Sequence, residues 1–456
     1  MSFPKYQAYK ASGIAWLGNV PATWSVLPLK AVATCNDEVL PEGTDGDTAI
    51  EYVEISGVEE GRGITQTELL TFATAPSRAR RVVRHGDVLI STVRTYLRAI
   101  ATVSHPPENL VASTGFAAIR PRSAHPGFLG YLLHCEYLIA EVIARSVGIS
   151  YPAINASDLM RLKGPIPGRE EQAAIATFLD RETAKIDALV EEQRNLIKLL
   201  KEKRQAAISQ AVTKGLNQNA PMKGSGNQWI GTVPEHWTLM RLKHATSREK
   251  NAFVDGPFGS NLKSEHFIDD GDVYVIESGF ATQGRLNLSD LKTISAEHFA
   301  TIDRSETRGG DIIIAKIGAQ FGKSSILPTL DKPAVVSGNS LKLTVNAEDF
   351  DVNFVNWQLV NLKALGAIED IVNATAQPAL SLGEMSNLPF VAPPRTEQQA
   401  IVSFLVASLG ELDGLITEAQ RGIDLLQERR SAIISSAVTG KIDVRGLVPQ
   451  PEAVAA

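Results

Sequence analysis

The chain repeats itself, and the repeat is what most constrains its fold. Ser12-Gly13, Trp16, Gly18, Val20-Pro21, Trp24 and Leu29-Lys30 return 213 residues later as Ser225-Gly226, Trp229, Gly231, Val233-Pro234, Trp237 and Leu242-Lys243. Gly86-Asp87-Val88-Leu89-Ile90 returns at an offset of 224 as Gly310-Asp311-Ile312-Ile313-Ile314. Arg169 to Lys214 returns at an offset of 226 as Arg395 to Gly440, with 21 identities in 46 positions. The last segment of each copy keeps its register, while the middle has gained residues and diverged. Such a chain holds two half-molecules with a fixed frame and variable content, as a spacer carrying two different recognition heads would.

With 456 residues the chain has room for about three domains. Hydrophobic residues make up 44% and charged residues 21%, which fits an ordinary globular protein rather than a disordered one. Two cysteines, Cys35 and Cys135, are too few for a disulfide framework or a metal cluster and fit a reducing compartment. No run of about 18 apolar residues stands out, so no membrane span is expected. The N-terminus lacks an apolar leader, and the expected location is cytoplasmic. Net charge is −6, which argues mildly against a lone nucleic-acid binder. Yet Arg78, Arg80, Arg81, Arg84, Arg94 and Arg98 fall within 21 residues that hold a single acid, Asp87.

Each copy opens on a short aromatic-proline segment and continues into a mixed region. β-Branched runs bounded by Gly, Asp and Pro predict strands at 49–56, 88–93 and 117–120, and again at 273–277, 312–317 and 341–345. Helical patches fall at 128–144 and 355–365. Residues 169–214 contain no Gly or Pro. Ile175, Leu179, Ile186, Leu189, Leu196 and Leu200 recur there at spacings of three, four and seven, the pattern of a long amphipathic helix. Ile401, Leu405, Leu412, Leu415, Leu426 and Ile433 repeat the pattern in copy two, where Gly410, Gly414 and Gly422 weaken the helix by about 1 kcal/mol each. The two stripes are expected to pair with each other. The expected fold is mixed α/β: two α/β recognition domains separated by two long antiparallel helices, a coiled-coil spacer with an internal pseudo-two-fold repeat. The corresponding boundaries are 1–168, 169–216, 217–393 and 394–442, with a flexible tail over 443–456.

Catalytic motifs fail on spacing. Gly318-Ala319-Gln320-Phe321-Gly322-Lys323-Ser324 has three residues between its glycines where a phosphate loop has four. Asn387-Leu388-Pro389-Phe390 lacks the second proline of an adenine-methyltransferase signature and reads as a strand leading into the helix. The eight histidines show no metal spacing and no partnered nucleophile.

Binding chemistry remains. Arg94-Thr95-Tyr96-Leu97-Arg98 follows a predicted strand. Arginine can bridge guanine O6 and N7 or clamp phosphate, and Thr95 and Tyr96 add hydroxyls. Copy two offers Lys316, Gln320 and Lys323 at the equivalent place. Ser260, Asn261 and Lys263 lie in the glycine-rich loop Gly256-Pro257-Phe258-Gly259-Ser260-Asn261-Leu262-Lys263, where backbone could approach a ligand closely. A solvated basic face is the plain alternative for each of these residues.

Taken together, these motifs resemble the DNA-specificity subunit of type I restriction–modification systems over nearly the whole chain. The carrying segments are Val-Pro-x-x-Trp at the start of each copy, Gly-Asp-Val-Leu-Ile-Ser at 86–91 and Ser-Thr-Gly-Phe-Ala-Ala-Ile-Arg-Pro at 113–121. With them go the helical segments 171–189 and 202–216 and the glycine-rich loop at 256–263. The resemblance implies two target-recognition domains, each reading half of a split double-stranded DNA sequence, and helical regions that dock two modification subunits. It implies no catalysis and no cofactor in this chain: S-adenosylmethionine belongs to the modification subunits, and ATP and Mg to restriction/translocase subunits. The competing readings are a helical adaptor that binds no DNA and a methyltransferase fused to a recognition module.

Overall fold

The computed structural model describes residues 3–15, 17–372 and 379–447. Trp16 of the first aromatic-proline segment and residues 448–456 of the expected tail lie outside them. The chain divides into two compact units: residues 1–194 with 420–456, and residues 195–419. The division cuts both long helices instead of setting them apart as domains.

The first unit contains two four-stranded sheets. One runs in the order Ile100–Thr102, Val88–Ser91, Phe116–Pro121, Ala33–Cys35, antiparallel throughout. The other runs Glu68–Thr71, Ala49–Val53, Leu110–Ser113, Ala79–Val82, with its central pair parallel. The second unit repeats this topology strand for strand. Ser324–Ile326, Ile312–Ala315, Ser340–Leu343 and Phe253–Asp255 form its first sheet, and Lys292–Ile294, Val273–Ile276, Ala334–Val336 and Glu306–Thr307 its second. The parallel pair recurs between Val273–Ile276 and Ala334–Val336. The diverged middle of each copy therefore preserves eight strands in one order. The inserted content lies between them: a hairpin of Val58–Glu59 with Gly63–Ile64 in the first unit, and helices Ser278–Gln283 and Ala296–Thr301 in the second. The predicted helical patch at 128–144 is two helices, Pro126–Leu133 and Glu136–Ala144, broken at His134-Cys135.

The shared Gly-Asp motif opens the strand at the centre of each first sheet. Asp87 is 1% exposed; its carboxylate accepts two bonds from Arg120 (2.9 and 2.8 Å) and one from the Arg84 backbone N–H (2.8 Å). Asp311 is equally buried but faces no arginine side chain. It accepts from the Thr344 hydroxyl (2.6 Å), the Thr307 hydroxyl (3.0 Å) and the Arg308 backbone N–H (2.8 Å). One buried carboxylate is thus satisfied in two ways, as burial of a charge requires.

The first long helix spans Arg169–Lys214 and the second Arg395–Val438. Within the first unit they run antiparallel: Arg430 pairs with Asp187 at 2.9 Å, and Arg445, just beyond the second helix, lies 3.8 Å from Glu171 at the start of the first. Within the second unit Arg204 pairs with Asp413 at 3.0 Å, and Leu200, Ile208, Ala211 and Val212 share a core with Ile401, Leu405, Leu409 and Leu412. Of the predicted seam, Ile175, Leu179, Ile186, Leu200, Ile401, Leu405, Leu412 and Ile433 are buried. Leu426 is half-buried. Leu189, Leu196 and Leu415 depart from expectation, at 45%, 43% and 54% exposed. Val190, next to Leu189, is buried, Ile197 and Ile416, next to Leu196 and Leu415, are half-buried, and Ala419 and Ile423 are buried further along, because the 3.6-residue turn drifts from a strict count of threes and fours.

Two further expectations need correction. The second long helix contains an 18-residue stretch apolar enough, by length and composition, to cross a bilayer. Within this helix Ile401, Leu405, Leu409 and Leu412 belong to the core of the second unit, whereas Phe404, Val406 and Leu415 are 45–61% exposed. The expected loose tail is packed over its described part: Val444 is buried, Asp443 N–H donates to Pro4 O at 2.8 Å, and Arg445 grips Asp443 at 2.7 Å.

The aromatic-proline segments close each unit. In the first, a side chain at Gly440, after the second helix, would collide with Pro21 and come within 3.2 Å of Trp24. In the second, Gly215, after the first helix, stands in the same relation to Trp237, also 3.2 Å from its ideal Cβ. Both glycines have positive φ, the left-handed stop that ends a helix.

The joint between each α/β domain and its helix is also duplicated. Buried Gln172, in the first turn of the first helix, accepts from the His125 N–H (2.7 Å) and donates to Pro167 O (2.9 Å). Buried Gln398 accepts from the Asp351 N–H (2.9 Å) and donates to Pro393 O (3.0 Å) and Asp349 O (3.1 Å).

Candidate nucleic-acid interface

In the first unit the strand Val88–Ser91 leads into Thr92-Val93 and then into a single 3-10 turn, Thr95–Leu97. Arg94 and Arg98 flank that turn, both with φ of 52°. Left-handed backbone at a non-glycine residue is costly and persists where the surroundings enforce it. Here Arg94 N–H donates to Pro152 O (2.7 Å), Thr95 shares a hydrogen bond with Ser146 (2.7 Å), and Val93 bridges Ala153. The turn is thereby fastened to a second loop, 146–153, which no sequence motif had singled out. The Arg94 guanidinium lies over the Tyr151 ring, 4.7 Å from its centre, a cation–π stack.

The arginine cluster does not act as one. Arg78 pairs with Glu54 (2.5 Å) and Arg84 with Glu38 (2.7 Å); Arg98 pairs with both Glu136 (2.7 Å) and Glu60 (3.1 Å). Arg80 lies over Phe72, and the Nε of Arg81 is buried without a hydrogen-bond partner. These acids come from elsewhere in the chain and neutralise charge that looked free in the sequence. Glu38, held by Arg84 and Arg120, has its carboxyl pKa lowered. Arg94 and Tyr96 are exposed, whereas Thr95 is buried.

In the second unit the glycine-rich loop and Lys316 meet around a cleft of about 800 Å3, lined also by Glu277, Ser278 and Asn339. Lys316 pairs with Asp255 at 3.1 Å. Backbone packs on backbone here: a side chain at Gly256 would collide with Ser337 O, and one at Gly338 would come 2.6 Å from Pro257 O. The loop is held further by His298 Nε2 on Asn261 O (2.9 Å) and by the Lys263 N–H donating to His266 Nδ1 (3.1 Å), with the two imidazoles stacked 3.9 Å apart. Ser260 and Asn261 are hydrogen-bonded side chain to side chain, and Lys263 lies 3.5 Å from Glu265. Phe258, absent from the sequence-based candidates, is 71% exposed on this pinned loop. Gln320 and Lys323 are exposed but lie in the turn joining antiparallel strands Ile312–Ala315 and Ser324–Ile326. A strand follows the near-phosphate-loop sequence, so the helix such a loop requires is not there. No cluster of three or more His, Cys, Asp or Glu able to hold a metal ion occurs among the described residues.

Two units of one topology, each with a polar and aromatic loop cluster beyond its central strand, meet a family signature. Residues 77–199 and 259–417 match the model of the type I restriction modification DNA specificity domain. The chain belongs to that family. A putative type I restriction enzyme MjaX specificity subunit from Methanocaldococcus jannaschii is 24% identical over 458 residues, covering 98% of this chain and 99% of that one. The type I restriction enzyme MjaVIII specificity subunit of the same organism is 23% identical over 308 residues, 67% of this chain and 68% of that one. A chain from a solved type I R-M system, in work on its assembly and conformational transition, superposes with a TM-score of 0.67 at 23% identity, covering 94% of this chain and 99% of that one. A type I specificity subunit is the non-catalytic, target-recognising part of its system, and that is the role of this chain.

Proposed function

We propose that this specificity subunit reads an asymmetric, two-part double-stranded DNA target, with one α/β domain for each half-site and the paired helices setting the gap between them. The observation that carries this reading is the duplication of frame without duplication of content. Strand order, buried aspartate and glutamine joint recur, while Arg94, Tyr96 and Tyr151 in one unit stand against Phe258, Lys263 and Lys316 in the other. Identical readers would imply a symmetric target; unlike side chains on a common frame imply two different half-sites. Recognition then follows from hydrogen bonds to base edges, with phosphate contacts fixing register.

The helices carry more apolar surface than their pairing uses. Leu199, Phe404, Val406 and Leu425 are 45–61% exposed. We assign these faces, with Leu189, Leu196 and Leu415, to docking of two modification subunits, which bring S-adenosylmethionine. Restriction/translocase subunits bring ATP and Mg to the same cytoplasmic complex. The proposed functional boundaries are residues 1–168 and 217–393 for the readers and 169–216 and 394–442 for the spacer.

Methylation mapping by single-molecule sequencing, in a host expressing this chain with its modification subunit, tests the reading. A bipartite motif with unlike halves is expected. A continuous or palindromic motif, or no new methylation in a host where the assembled complex is present, would refute it.

A further inference from the structure

The apex of the 146–153 loop is the most exposed apolar element among the described residues of the first unit. Val147 N–H and Ala153 N–H each donate to the other's carbonyl (2.9 and 3.0 Å), which makes 147–153 a closed hairpin. Gly148 turns it with φ of 119°, and an added Cβ there would come 3.0 Å from Tyr151 O. Val147 is 80% exposed, Tyr151 62% and Ile149 fully exposed at 103%. A branched aliphatic side chain held wholly in water on a braced hairpin contributes nothing to the fold. The hairpin cannot simply fold down, because Arg94 N–H to Pro152 O (2.7 Å), Ile154 N–H to Thr92 O (2.9 Å) and the Arg94–Tyr151 stack fix its base.

Charge selects the occupant. In a chain of net charge −6, residues 92–98 and 146–155 contain no acid, and Arg94 has no carboxylate within 4.0 Å among the described residues. An apolar tip beside a cation stacked on an aromatic ring matches how proteins part a base step, with an aliphatic wedge between bases and arginine on the flanking backbone. We infer that Ile149 is such a wedge, entering the base stack within one half-site of the DNA while Arg94 and Tyr151 brace it. The inference rests on the DNA-reading function proposed above. It adds that this half-site is recognised partly through the ease of unstacking one step, a contribution that base-edge hydrogen bonds do not supply.

The test uses the full complex of this chain with its modification subunits and duplexes bearing the mapped target. 2-Aminopurine is placed in turn at positions of both half-sites other than the methylated adenine. With the natural chain, fluorescence is expected to rise several-fold on binding at one step of one half-site. Ile149→Leu should keep the rise. Ile149→Ala should abolish it and weaken binding about tenfold or more, the scale of a lost base-stacking contact. Because Ile149 is fully exposed, neither change should alter unfolding. The wedge is overturned if no position depends on Ile149 while specific binding persists, or if Ile149→Ala impairs assembly with the modification subunits and not DNA binding. Absence of specific DNA binding by the natural complex would instead strike the function on which the wedge rests.

Discussion

Asp87 and Asp311 occupy one position in two copies, so the same substitution in each isolates what their surroundings contribute. Asp87→Asn leaves shape intact but takes the charge from a bidentate pair in which Asp87 is 1% and the Arg120 side chain 25% exposed. Removing one partner of a buried pair costs about 3–5 kcal/mol. Arg120 keeps Glu38 at 2.5 Å and some solvent, which places the expected cost at the lower end, about 3 kcal/mol. Asp311→Asn faces two hydroxyls that can reverse their bonds and one backbone N–H that the amide oxygen still accepts. Burial lowers the pKa of Lys342, and nearby Asp311 opposes that shift. The loss there is expected to be about 1–1.5 kcal/mol. Hydrogen-exchange mass spectrometry in a urea series reads the two units separately, through peptides covering 110–121 and 334–343. Equal losses in both units would refute the view that ion pairing, rather than burial of the carboxylate, sets the cost. So would a double variant Asp87→Asn, Arg120→Gln that loses the full sum of its parts.

Four further outcomes follow from the structure. Arg94→Ala should relax recognition in one half of the mapped target, leaving the other half and assembly unchanged, as seen by methylation sequencing; equal loss in both halves would mean the residue does not read sequence. Seven residues inserted after Arg194 together with seven after Ala419, matched because the helices pair antiparallel within each unit, should add about 10.5 Å of helix and lengthen the unread gap by about three base pairs; an unchanged gap in the methylome would remove the spacer role. His134 sits between Gly130 O and Ile100 O, and burial lowers its pKa; since the unfolded chain binds the proton more readily, stability should fall as pH drops below about 6.5, by at most about 1.4 kcal/mol per unit, and His134→Gln should flatten that part of the urea-midpoint profile. Gly422→Ala meets nothing within 4 Å and should stabilise the second helix by about 1 kcal/mol, measured as a rise in urea midpoint.

Periodicity and repetition make much of this molecule legible in its sequence. The long helices, the central strands and the paired architecture follow from local pattern, because helix and strand periods are written in neighbouring residues. Side-chain partnership is not local. Arg84 and Glu38 are 46 residues apart, and Arg98 meets Glu136 across 38, so a run of six arginines reads as free charge when half of it, Arg78, Arg84 and Arg98, is answered by distant acids. Leu189, Leu196 and Leu415 were misplaced for a subtler reason: a count of threes and fours accumulates angular error along a helix of 44–46 residues, and Val190, Ala419 and Ile423 take the inward positions. The 147–153 hairpin carried a visible signal, with Gly148 and Pro152 around exposed aliphatic and aromatic residues and no acid. Phe258 stood in a loop already chosen for its polar neighbours. Neither signal is one of charge, the property by which a sequence most readily marks a nucleic-acid contact.

The glutamine joints have a consequence for how such chains can change. Gln172 and Gln398 grip only main-chain N–H and C=O groups of the domain each one holds, so the socket is indifferent to which side chains that domain carries. An insert that offers a helix start and a proline carbonyl at the same two places would keep this joint, while side-chain contacts such as Tyr131 Oη to Asp180 (2.8 Å) and Gln205 to Asn361 (3.2 Å) would still have to be matched. Under the function proposed above, these two main-chain joints are a part of the frame that an exchange of reading domains would leave untouched.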